Sequence, residues 1–166
     1  MSNLIFVDMV TSVTAVIRHP PQEVWPWLLD QAAWMLELKI ETVAGERGCE
    51  GELKRVCAVP GEPEFPHFYF KTLLLAPPRR FVYKAFSETR SGSWSFTGVE
   101  ILSLTALGGD SAVSFEAYLE VQSATMPIEE LEGFVEEAKR DGAAMWQRNF
   151  ERLAFVVDVE KKRSTS

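Results

Sequence analysis

Residues able to move protons, hold metals or attack carbonyls are few in this chain. His19 and His67 are its two histidines. They lie far apart, without HExxH or CxxC spacing, so no metal site is expected. There is no GxSxG elbow, and neither Cys49 nor Cys57 sits beside a histidine, which leaves covalent catalysis without a candidate. Gly45, Gly48 and Gly51 are spaced for turns and not for a phosphate loop, so no cofactor is expected. What remains is a polar minority inside apolar segments: Glu100, Tyr83 and His67 are the candidates for acid–base work.

The chemistry open to each depends on which face of a strand it occupies. In 94–106, Glu100 shares parity with Trp94, Phe96, Leu102 and Leu104, an inward phase in which burial would raise its pKa. A bulge at Gly98 would reverse that phase and send Glu100 to solvent. Tyr83 shares parity with Phe81 and Ala85, so its hydroxyl is either a polar anchor in a cavity or part of a plain core. In 65–75, Phe68, Phe70 and Leu74 form one face and His67, Tyr69 and Lys71 the other. Lys71 marks the second face as wet, which places His67 at the surface.

The elements that would position these groups follow from periodicity. Residues 9–18 read as a strand ended by Pro20 and Pro21. Pro21 opens a short helix carrying Val24, Trp25, Leu28 and Leu29 and bent at Pro26, and a second helical turn runs through Ala32, Ala33 and Trp34. Strands follow at 36–43, 50–59, 65–75, 80–86, 94–106 and 112–122, separated by Gly- and Pro-rich turns. Residues 127–157 read as one amphipathic helix, with Ile128, Leu131, Val135, Ala138, Gly142 and Met145 recurring at steps of three and four. Phe134, Trp146, Phe150 and Leu153 widen that stripe, and acidic residues precede basic ones as the helix dipole favours. The small residues Gly142, Ala143 and Ala144 permit either a gap between helix and sheet or close packing.

The resulting fold class is α+β: a curved antiparallel sheet of about seven strands gripping a long C-terminal helix, with two short helices after strand one. One domain spans residues 1–166, with a core over 9–157 and a frayed polar tail over 158–166. The net charge of −7 argues against a nucleic-acid partner. No apolar run is long enough for stable membrane insertion, and the first residues lack a secretory pattern, so a cytoplasmic protein is expected. Cys49 and Cys57, read as lying in one strand, are too far apart to pair and suit a reducing compartment. Oligomeric state is not encoded in any of these patterns.

Four segments carry a family resemblance: Pro21-Gln22-Glu23-Val24-Trp25 through Leu28-Leu29-Asp30 and Trp34; Gly48-Cys49-Glu50-Gly51-Glu52; Pro77-Pro78-Arg79-Arg80-Phe81-Val82-Tyr83; and Gly108-Gly109-Asp110-Ser111-Ala112-Val113. In this order the chain resembles the SRPBCC or START-type, polyketide-cyclase-like superfamily, the helix-grip fold shared with the birch-pollen allergen. The resemblance implies a ligand cavity between sheet and terminal helix. The wall expected there comprises Phe68, Phe70, Tyr83, Trp94, Phe96, Glu100 and Phe115 from strands, and Leu131, Val135, Ala138, Gly142 and Met145 from the helix. The implied function is binding of a hydrophobic small molecule, lipid or polyketide-like. One alternative is a cyclase or dehydratase using cavity acid–base residues; a weaker one is a protein-binding domain resembling activators of the Hsp90 ATPase.

Overall fold

A computed structural model describes residues 4–58, 68–87 and 94–164. Seven strands, β1 (Ile5–Ile17), β2 (Leu38–Ala44), β3 (Leu53–Ala58), β4 (Phe68–Ala76), β5 (Arg80–Ser87), β6 (Trp94–Leu107) and β7 (Asp110–Ser123), form one antiparallel sheet. Its order is β1-β7-β6-β5-β4-β3-β2, so chain neighbours are spatial neighbours except where β1 pairs with β7. Helix α1 (Pro21–Leu29) and a 3-10 turn (Gln31–Ala33) follow β1, and helix α2 (Ile128–Ser164) closes the chain.

Strand β7 shows the expected alternation: Val113, Phe115, Ala117, Leu119 and Val121 are buried. Strand β1 begins at Ile5, earlier than its sequence suggested, because β7 offers it a ladder partner at every residue from Ile5 opposite Ser123 to Ile17 opposite Ser111. Strand β3 begins at Leu53, later than expected. Glu52 is buried and accepts from the Gly48 N–H at 2.9 Å and the Thr42 hydroxyl at 2.5 Å, and Gly51 has φ +86°, so 48–52 is a turn. Cys49 therefore lies in that turn and not in a strand with Cys57; both thiols are free.

Helix α2 has 37 residues, about 55 Å at its usual rise. It continues through 158–164, where a frayed tail was expected. Asp158 Oδ1 lies 2.5 Å from His19 Nε2, and Lys161 Nζ lies 2.9 Å from Glu23 Oε2. His19 is buried, and its other ring nitrogen is 2.9 Å from Glu23. Burial lowers the His19 pKa, but the two carboxylates outweigh it and hold the ring above its ordinary value. The cluster ties the last turns of α2 to the start of α1. Lys161, Lys162 and Arg163 also sit at the negative end of the helix dipole.

No bulge occurs at Gly98. The β6 register runs unbroken past it, with irregularities instead between Thr42 and Ala44 and between Thr72 and Leu74. A Cβ built on Gly98 would overlap the Tyr118 carbonyl oxygen and lie 2.7 Å from Leu119 Cα, so β6 and β7 approach each other too closely for any side chain. Gly98→Ala is expected to cost about 1–3 kcal/mol by overpacking. Urea unfolding checks this; an unchanged midpoint would show that the two strands part freely.

The apolar interior has two centres. The larger packs Trp146, Phe150, Leu153 and Val157 of α2 on Trp34, Leu28, Phe115 and the inner face of the sheet. The smaller joins Val121, Leu131 and Val135. Between them no α2 residue from 136 to 145 is buried, and Ala138, Gly142 and Met145 are half-buried. The helix touches down at two places and spans the gap between them.

Candidate functional site

A pocket of about 150 Å³ occupies that gap. Phe134, Ala138, Met145 and Trp146 of α2 form one side. The sheet contributes Met9 from β1, Leu38 from β2, Phe68 and Phe70 from β4, Trp94, Phe96 and Glu100 from β6, and Leu119 and Val121 from β7; Met35, after the 3-10 turn, completes the lining. Aromatic rings keep the wall in shape: Trp94 lies 4.7 Å from Phe134 between centroids, Phe68 lies 5.5 Å from Phe70, and Phe96 lies 5.8 Å from Phe68. Gly142 bears on the small-residue patch. A Cβ there meets nothing within 4 Å, which excludes close packing at that position, but none of Gly142, Ala143 and Ala144 lines the pocket.

Among the described residues Glu100 is the one ionisable group in the wall, and it is 8% exposed. The unbroken register at Gly98 is what turns it inward. Burial pushes its pKa up to about 7, while the Tyr83 hydroxyl partly opposes this by favouring the anion. Tyr83 pairs with Glu100 across the β5–β6 ladder and is fully buried, its ring 4.6 Å from Phe70 and 5.0 Å from Phe81. Burial raises the pKa of its hydroxyl well above the usual value. Beyond Tyr83, Gln31 and Lys54 are buried, and Lys54 Nζ donates to Gln31 Oε1 at 3.2 Å. Burial also lowers the Lys54 pKa, with nearby Glu52 opposing.

Of the residues expected in the wall, Phe68, Phe70, Trp94, Phe96, Glu100, Ala138 and Met145 line the pocket. The others lie elsewhere. Tyr83 sits behind the wall, among Phe70 and Phe81. Phe115 is covered by Trp146, stacked at 3.8 Å. Leu131 and Val135 fill the smaller apolar centre with Val121. Gly142 has no side chain to contribute. His67 lies outside the described residues.

Met9, Met35, Leu38, Leu119, Val121, Phe134 and Trp146 were not among the residues expected in the wall. Leu119 and Val121 share the parity of Phe115, and Phe134 and Trp146 lie on the helical stripe, so a fuller use of the same patterns finds them. Met35 follows the 3-10 turn, where no periodicity marks an inward residue. Among the described residues no group of three or more His, Cys, Asp or Glu could hold a metal ion. No helix among them is long and apolar enough to cross a membrane.

No protein-family model and no curated protein sequence matches the chain. Solved structures do. Protein MLL2253 from Mesorhizobium loti superposes with a TM-score of 0.64 at 18% identity, over 90% of this chain and 96% of that one. The structure of Ara h 8.0201 superposes with a TM-score of 0.64 at 15% identity, over 91% and 98%. Truncated norcoclaurine synthase from Thalictrum flavum gives a TM-score of 0.61 at 13% identity, over 95% and 98%. With its sheet order, its two covers after β1 and its terminal helix spanning a gap, this chain has the helix-grip fold that its sequence resembles and these structures share.

Proposed function

We propose that the protein binds a compact apolar small molecule between the sheet and α2. The observation that carries this is the gap itself: α2 is anchored by buried side chains on both sides of 136–145, yet over that span it leaves an apolar pocket. Close packing of the interior is the rule, so an apolar void needs a reason, and a ligand supplies one. Its volume is on the scale of the cavity of about 150 Å³ that holds benzene in an engineered core. The likeness to Ara h 8.0201 and norcoclaurine synthase is compatible with a binding fold.

Ethylbenzene is a suitable probe. It is expected to raise the melting temperature by mass action and to shift the methyl resonances of Met9, Met35 and Met145 while leaving Met126 alone. Ala138→Phe should fill the pocket and weaken binding by at least about tenfold. Methyl shifts confined to Met126, or binding unchanged in Ala138→Phe, would place the ligand elsewhere.

One observation favours a catalytic reading beside this one. A carboxyl held near neutrality in an apolar wall is suited to proton transfer in a cyclase- or dehydratase-like reaction. Turnover that Glu100→Gln abolishes without loss of ligand affinity would support it.

A further inference from the structure

Glu100 ends a file of buried polar side chains contributed by four separate segments. Lys54 of β3 lies 3.7 Å from Glu52 Oε2 and donates to the Leu29 carbonyl at 3.3 Å as well as to Gln31 Oε1. That last bond occupies the Gln31 amide oxygen and leaves Nε2 for another partner. Tyr83 interacts with both Gln31 and Glu100. Glu100 is the member of the file that lines the pocket; behind it Gln31 Nε2, the Tyr83 hydroxyl and Glu100 Oε2 adjoin one another, buried and without a well-formed hydrogen bond. Buried polar groups left short of partners are uncommon, and the one that reaches the apolar pocket, the Glu100 carboxyl, is placed to meet a ligand.

We propose that the pocket selects apolar molecules bearing one carbonyl oxygen, which accepts a hydrogen bond from the Glu100 carboxyl, with Tyr83 as the residue that positions that carboxyl. This rests on the binding reading above. A carbonyl suits the wall better than an amine does. An ammonium would have to shed its water into a wall whose α2 side, Phe134, Ala138, Met145 and Trp146, has no charge or acceptor side chain to replace it. The register partner on β7 is Ala117, equally apolar, and the one titratable group on β5 opposite Glu100 is Tyr83. Lys54 is spaced from Glu100 by Gln31 and Tyr83. Burial keeps Glu100 protonated up to about pH 7, and in that form it is a donor.

Acetophenone and ethylbenzene, matched in size and differing by one oxygen, form the test. At about pH 5.5 acetophenone is expected to bind the wild-type protein about tenfold more tightly, the value of one buried hydrogen bond. The preference should vanish by about pH 8.5, because the carboxylate cannot donate. Glu100→Gln should keep the preference, through its amide N–H, and make it independent of pH. Glu100→Leu should abolish it. Tyr83→Phe should move its midpoint to higher pH, since the hydroxyl that favours the anion is gone; a residue of merely structural importance would leave the midpoint in place.

Equal affinity for the two compounds at about pH 5.5 overturns the anchor while leaving the pocket in place. So does a preference that survives Glu100→Leu, or phenethylamine gaining affinity from about pH 5.5 to 8.5 while acetophenone shows none. Failure of ethylbenzene itself to bind overturns the pocket reading, and the anchor with it.

Discussion

Trp146→Ala is expected to destabilise the protein by about 3–5 kcal/mol, a large part of the ~5–15 kcal/mol that holds an ordinary domain folded. Trp146 is 4% exposed, with its ring stacked on Phe115 at 3.8 Å and tilted against Phe150 at 5.7 Å and Trp34 at 5.9 Å. It joins the sheet, the segment after the 3-10 turn and α2 at one point. The neighbours cannot collapse into the space it leaves, because Phe115 belongs to a central strand and Trp34 is pinned by its indole N–H donating to the Trp27 carbonyl at 2.8 Å. Urea unfolding followed by far-ultraviolet circular dichroism measures the loss. A cost below about 1 kcal/mol would show that α2 is not docked where Trp146 places it.

Glu100→Gln should make the protein more stable above neutral pH, by up to roughly 3 kcal/mol, because the native state carries a carboxyl whose pKa lies near 7 instead of 4.5. The sign follows from proton binding. Between those two values the native protein holds a proton that the unfolded chain has released, so stability falls as pH rises. The contribution is fully present below about 4.5 and lost as pH passes through about 7. Glutamine has nothing to lose over that interval. The difference between the two stability curves isolates this group from others that titrate, His19 included. Parallel curves from about pH 4 to pH 9 would mean that Glu100 is solvated and ionised in the native protein.

Both predictions turn on residues that the sequence marks to different degrees. The place of Trp146 on a helical stripe is legible from spacing alone, since any packed helix must bury that face. Its stacking on Phe115 is not, because nothing in the spacing says where α2 crosses the sheet. The inward parity of Glu100 is legible too, but only if the ladder is unbroken. A glycine two residues before it could mark a bulge or a close approach, and sequence patterns do not separate the two.

The order of the elements, the strand faces and the long C-terminal helix were determined by the sequence itself, because hydrophobic period and turn chemistry are local properties that each segment carries with it. The extent of α2 was underestimated because its last turns are polar and are held by Asp158 to His19 and Lys161 to Glu23, contacts between opposite ends of the chain. Tertiary structure alone decided the gap over 136–145, since a half-buried Ala138 or Met145 reads like any other stripe residue until the sheet beneath curves away. It also decided the file from Lys54 through Gln31 and Tyr83 to Glu100. These residues are distant in the chain and individually ordinary, and only the folded sheet and the turn packed on it bring their polar atoms into one file that reaches the pocket at Glu100.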